Sequence, residues 1–165
     1  MADDRAARLT EELAATAPEL LAYFERRVQA ADAADLLAEV MLTAWRRVGE
    51  LPDDPERARM WLFVTARNVL ANAARGERRR WRLANRLRLM VQPTAAPDAG
   101  EGAEVRDAIA RLAPEQAELV RLVHWEGLSL ADAAEVLGIP ASTARGRHQR
   151  AKAELREALA ASIAG

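Results

Sequence analysis

Residues 128–156, LSLADAAEVLGIPASTARGRHQRAKAELR, leave little choice of local structure. Ser129 precedes an apolar run and has an acid, Asp132, three residues further on, the pattern of a capped helix start. Gly138 falls where a helix ends in a left-handed residue. Pro140 suits the first turn of a second helix, where a missing N–H leaves no intrahelical bond unmade. Two helices joined by a tight turn result, and the small side chains of Ala133 and Ala134 let them approach closely. On the second helix Ala144, His148, Ala151 and Leu155 recur at steps of four, three and four, so they share one buried face. Ser142, Arg145, Gly146, Gln149, Arg150 and Lys152 occupy the rest of its surface.

That exposed face has the chemistry of duplex DNA recognition. Arg matches guanine O6 and N7 with a planar fork, Gln pairs with adenine, and a glycine at 146 leaves room for the helix to sit low in a major groove. The competing interpretation is a solvated, Arg-rich face on an ordinary helical hairpin.

The rest of the chain is consistent with an all-α protein. Almost no segment alternates with period two, aromatics are few, and half of the 165 residues are apolar, enough for one compact domain or two small ones. There is no cysteine, hence no disulfide and no thiolate metal site. His124 and His148 are far apart in sequence with no obvious ligand partners, so neither a metal nor another cofactor is expected. No phosphate-binding glycine loop, nucleophile elbow or metal cluster points to an enzyme. No apolar run reaches the length of a membrane span and the first residues are acidic, so a cytoplasmic protein without a membrane partner is expected.

The net charge of −1 hides a segregated pattern. Residues 1–66 carry −5, residues 67–88 carry +7, residues 89–140 carry −6 and residues 141–165 carry +3. Two basic elements separated by acidic surface would grip a polyanion at two places.

In chain order, residues 5–30 form one or two helices with Leu20, Phe24 and Val28 as a core stripe. In DAADLLAEVMLTAWRRV, residues 32–48, the buried stripe is Leu37, Met41, Ala44, Trp45 and Val48, with Trp45 a core residue. Leu36 and Val40 lie beside it, flanked by Asp35 and Glu39. This second strip either docks a partner helix or is buried within the same domain. Residues 49–59, GELPDDPERAR, read as a loop from two prolines and an Asp pair. A long helix follows from about Met60, with Leu62, Ala66, Val69 and Ala73 as its core face. Its opposite stripe is Trp61, Thr65, Asn68, Asn72, Arg75 and Arg79. Amides beside an aromatic offer hydrogen bonds and stacking to exposed bases, and the following Arg run holds phosphate. A plain amphipathic helix with Trp61 in the core and an Arg-rich tail explains the same pattern.

Residues 91–103, VQPTAAPDAGEGA, are rich in Pro, Gly and Ala and read as a flexible linker, preceded by a basic lead over Trp81–Met90. The domains are therefore 1–90 and 104–165. In the second, Val105, Ile109 and Leu112 form the core of a helix ending at Ala113–Pro114. Leu119, Leu122 and Val123 form that of another, closed by Gly127, with His124 and Trp125 packing or surface residues near its end.

Two helical domains, the first ending in an Asn- and Arg-bearing helix and the second in a helix-turn-helix, resemble the extracytoplasmic-function (ECF) group of sigma-70 factors over nearly the whole chain. DAADLLAEVMLTAWRRV resembles regions 2.1 to 2.2, MWLFVTARNVLANAARGERRR regions 2.3 to 2.4, and RLAPEQAELVRLVHWEGLSLADAAEVLGIPASTARGRHQRAKAEL region 4. The resemblance implies a protein that binds core RNA polymerase, through the β′ clamp helices and the β flap, and brings it to promoter DNA. Asp35, Leu36, Glu39 and Val40 would meet the clamp helices. The Asp53–Arg59 loop, with Arg57 and Arg59, would help capture a flipped base of the −10 non-template strand. Trp61, Asn68 and Asn72 would lie along that strand, with Arg75, Arg78 and Arg79 near phosphates. Arg145, Gly146, Gln149 and Arg150 would face the −35 major groove, with Ser142, Thr143 and Arg147 at its backbone. An anti-sigma factor is a family-level expectation. So is regulation by a separate protein, since no additional C-terminal domain is read. The chain departs from the family pattern at Ala38, where Gln is usual, at Asn72 in place of Asp, and at Ala144 and His148 in place of larger aliphatics.

Two other functions fit the residues alone. One is a stand-alone dimeric regulator reading palindromic sites through residues 128–156. The other is a sigma mimic that sequesters an anti-sigma factor.

Overall fold

The computed structural model of the chain describes residues 2–87 and 102–163, and of these the side chains of residues 3–77 and 102–162. Among the described residues the regular structure is entirely helical. The chain divides into two compact units, Met1–Val91 and Gln92–Gly165. The expected linker lies outside the described residues except for Gly102 and Ala103, as do residues 88–90 of the basic lead.

The N-terminal unit packs three helices mutually: α1 (Ala2–Glu25), α2 (Ala30–Arg46) and α3 (Pro55–Leu87). Helix α1 runs as one element through Pro18, although an interior proline removes a hydrogen bond and disfavours a helix by about 3 kcal/mol. Burial of Leu9, Leu13, Leu20, Tyr23 and Phe24 along one side offsets that, at about 1.5–3 kcal/mol for each large side chain. Tyr23 meets Phe24 and Phe63 edge-on, with centroids 5.3 and 5.9 Å away.

Helix α2 is rotated from the expected orientation. Its core face is Ala33, Val40 and Ala44, while Leu37 and Met41 are half-buried and Trp45 is 44% exposed. Small residues at both ends of that face let α2 lie close against its neighbours, which a stripe ending in Trp45 could not. Helix α3 also begins earlier than expected, at Pro55 and not near Met60. Asp54 caps it, its Oδ2 accepting from the Arg57 N–H at 3.0 Å, and Pro55 takes the first helical position. The loop proper shrinks to residues 51–54, after a 3-10 turn at Val48–Glu50. Leu62, Ala66 and Val69 are buried as expected; Thr65, assigned to the opposite stripe, is buried too, its hydroxyl donating to the Trp61 carbonyl at 2.8 Å.

In the C-terminal unit α7 (Ala141–Ile163) packs on each of α4 (Ala103–Arg111), α5 (Pro114–His124) and α6 (Leu130–Leu137). Ile109, Leu112, Ala117, Val120 and Ala151 form one core cluster, against which Trp125 and Leu155 lie. Val105, expected in this core, is 42% exposed.

Candidate nucleic-acid interface

The helix-turn-helix closes as the sequence requires. Ser129 Oγ accepts from the Asp132 N–H at 3.0 Å. Gly138 adopts φ 65°, ψ 34°, and the N–H groups of Ile139 and Gly138 return to the carbonyls of Ala134 and Glu135 at 3.0 and 3.1 Å. This paired ending stops α6 within one residue and fixes the direction of α7. Ala133, Ala134 and Ala144 are buried between the helices.

On α7, Ala144 and Ala151 are fully buried and His148 and Leu155 half-buried, the face anticipated. Ser142, Arg145, Gln149, Arg150 and Lys152 are exposed, and Thr143, Gly146 and Arg147 are partly so. Arg147 reaches back to Glu115 on α5 at 3.3 Å, and Arg150 Nε donates to the Gly146 carbonyl at 3.3 Å. A methyl group built on Gly146 would meet nothing within 4 Å, so nothing inside the protein requires a glycine there.

The two histidines, separated by 24 positions in sequence, are brought together. Their rings are nearly parallel, at 18°, with centroids 5.3 Å and Nε2 atoms 3.1 Å apart, so one ring donates an N–H to the other. This hydrogen bond ties the end of α5 to the middle of α7. Burial, and then the charges of His124 and Lys152, hold the His148 imidazole below its ordinary range. Among the described residues no group of three or more His, Asp or Glu is placed to hold a metal.

In the N-terminal unit the candidate residues converge more than their separation in sequence implied. A groove of about 400 Å³ runs between α2 and α3, with Leu36, Glu39 and Arg47 on one wall and Asn68, Val69 and Asn72 on the other. Asn68 and Asn72 are exposed, and Arg75 donates to Asn72 Oδ1. Trp61 is half-buried, with the Arg47 guanidinium 5.7 Å from its ring centroid. Arg57 is exposed in the first turn of α3. Arg59 is held by Glu19 of α1 and lies 5.2 Å from the Phe63 ring, which makes it a strut between α1 and α3. The side chains of Arg78 and Arg79 lie outside the described ones, and their backbone continues α3.

Of the four residues expected to meet polymerase, Asp35 and Glu39 are exposed and Leu36 is half-buried in the groove wall. Val40 is fully buried, so it serves the core and has no surface to offer a partner. The outer face of α2 instead carries Asp35, Ala38, Leu42 and Trp45, with Leu42 52% exposed. Sequence periodicity missed Leu42 and Trp45. The series Ala33, Leu37, Val40, Ala44, at steps of four, three and four, was the signal that could have found them. Leu42 and Trp45 are thus large apolar side chains, one turn apart, that the core of this unit leaves uncovered.

The model for sigma-70 region 2 matches residues 14–80 and that for sigma-70 region 4 matches residues 102–155. The ECF RNA polymerase sigma factor SigL of Mycobacterium tuberculosis is 31% identical over 131 residues, which are 77% of this chain and 74% of that protein. SigC of the same species, also an ECF RNA polymerase sigma factor, is 37% identical over 123 residues, 72% of this chain and 65% of that one. Among solved structures, the sigma factor RpoE of Bartonella quintana, crystallised with the anti-sigma factor NepR, superposes with a TM-score of 0.68. It covers 91% of this chain and 95% of its own at 24% identity, a likeness of fold. Family models over both units and curated relatives across most of the chain agree: the protein belongs to the extracytoplasmic-function group of the sigma-70 family.

Proposed function

We propose that this chain acts as an alternative sigma factor in the cytoplasm, with each unit taking a different form of promoter DNA while core RNA polymerase performs the chemistry. The observation that carries this division is that one polypeptide holds two differently built basic faces. Helix α7 presents Arg145, Gln149 and Arg150 beside a glycine, a surface suited to the edges of paired bases in the −35 element. Helix α3 presents exposed amides, Asn68 and Asn72, with Arg75 beside them and a half-buried tryptophan, a surface suited to unpaired bases and their phosphates. Unstacking bases at −10 costs a few kcal/mol, which contacts to the extruded bases must return.

Polymerase docks, in this reading, on the outer face of α2, where Asp35 and Glu39 flank Ala38, Leu42 and Trp45, with Leu36 at the margin. Neither small unit needs to bind DNA tightly alone, because attachment to polymerase raises the effective concentration of both at the promoter. Residues 1–90 thus serve polymerase binding and the −10 element, and residues 104–165 serve the −35 element. Among the −10 contacts Arg57 is favoured over Arg59, whose guanidinium is engaged by Glu19. A separate anti-sigma factor is the regulatory partner that the B. quintana complex suggests for this chain by analogy.

Run-off transcription with purified core polymerase is the test. Promoter-dependent transcripts that vanish when Arg145 and Arg150 are both replaced by Ala are expected. Palindromic sites bound without polymerase, and a footprint indifferent to Asn68, would favour a stand-alone dimeric regulator instead.

A further inference from the structure

Of the Asp53–Arg59 segment that the family resemblance sets against a flipped −10 base, only Asp53 and Asp54 remain in a loop, at residues 51–54, and that loop is held from outside by α1. Its residues lie between the 3-10 turn and α3 and have no helical partners for the carbonyls of Pro52 and Asp53. Both carbonyls are taken by one guanidinium from another helix. Arg8 Nη2 of α1 donates to Pro52 O at 2.7 Å and to Asp53 O at 3.0 Å, while Nη1 donates to Asp53 Oδ1 at 2.9 Å. Three bonds from one planar fork define both the position and the tilt of the peptide they grip. Either side of the grip is anchored: Leu51 is buried, Asp54 caps α3, and Arg5 donates to the Gly49 carbonyl at 3.0 Å. The Asp53 side chain itself is 91% exposed, so the fork holds an acid at the surface without removing it from solvent.

We infer that Arg8 is a positioning residue for promoter reading: it makes no DNA contact, but sets the geometry of the Pro52–Asp53 peptide and hence the loop's preference for one base of the −10 non-template strand. This rests on the assignment of that loop to the −10 element. An anchor that served stability alone would leave base preference untouched, and the two roles therefore separate in one experiment.

Full-length protein with Arg8→Ala or Arg8→Lys, and Glu11→Ala as an exposed control on the same helix, is combined with core polymerase. Open-complex formation is measured on templates in which each −10 position is replaced in turn by the other three bases. A mismatched base ordinarily lowers recognition by roughly 5- to 150-fold. Arg8→Ala is expected to cut that discrimination by about fivefold or more at one position while leaving the others, and binding to −35 duplex, unchanged. Lys keeps the charge but cannot grip three acceptors in one plane, so Arg8→Lys should follow Ala and not wild type. Uniform loss at every position with a lower melting temperature makes Arg8 a stabilising residue only and overturns the inference. Wild-type discrimination in both variants does the same. If the wild-type protein itself distinguishes no −10 base, the assignment of the loop has failed, and this inference with it.

Discussion

Replacing Gly146 by alanine should make the protein more stable and a poorer reader of its promoter. Glycine in a helix interior is less favourable than alanine by about 0.8–1 kcal/mol, largely because the unfolded chain gains freedom that folding removes. That penalty is tolerated where a Cβ would collide with something, and here a Cβ at 146 meets nothing within 4 Å. The residue also lacks the positive φ seen at Gly102, Gly127 and Gly138, so the backbone accepts alanine unstrained. Gly146→Ala should therefore recover nearly all of the 0.8–1 kcal/mol. For a unit of this size that raises its melting temperature by roughly 3–8 °C, read by calorimetry of the full chain. If the bare helix surface lets α7 lie low in the groove, the added methyl forces it outward, at a loss of about 1–3 kcal/mol. The affinity of the holoenzyme for −35 duplex, compared at one salt concentration, should fall by roughly 5- to 150-fold. A raised melting temperature with unchanged affinity would show that close approach is not the reason for the glycine. A lowered one would refute the claim that the interior has no use for it.

Four further outcomes are expected. Arg150→Ala should weaken −35 recognition by about 1–3 kcal/mol and relax base preference at one position; a uniform loss across sequences would make it a phosphate contact. Asn68→Ala should impair promoter opening, followed by permanganate reactivity, more than duplex binding, and equal losses in both would remove the distinction. Trp45→Ala should weaken association with core polymerase at little cost in stability, whereas Val40→Ala should destabilise the fold by roughly 2 kcal/mol through lost burial; pull-down and thermal melts separate the two, and the reverse pattern would invalidate the orientation of α2. The unfolded chain, with His148 near its ordinary 6.5, takes up a proton before the folded protein does. Stability contributed by the neutral ring is therefore complete above that pH and drains away as pH falls towards the lower folded-state value. Melting temperature should drop between pH 7.5 and pH 5.5, and less so in His148→Gln; equal drops would exonerate this residue.

What could be read from residues alone was whatever depends on local rules. The ends of α6 were legible because Ser129 and Gly138 each satisfy a backbone requirement that few other residues meet, Pro140 stands immediately before α7, and the exposed side of α7 followed from its period. The core face of α3 followed in the same way. The start of α3 was misread because Pro55 and the Asp pair punctuate a loop as readily as they cap a helix, and only the bond from the Arg57 N–H to Asp54 decides between them.

Tertiary structure alone decided which of two equally periodic stripes on α2 turns inward, since α2 has apolar residues over more than half its circumference and the choice lies with the neighbours that must fit against it. It exposed Trp45 and Leu42, buried Val40, joined His124 to His148, and set Arg59 against Glu19 and Arg8 across the loop. These contacts span 24 to 45 positions of sequence. Spacing along a chain reports which side chains share a face; it carries no information about which distant face comes to meet it.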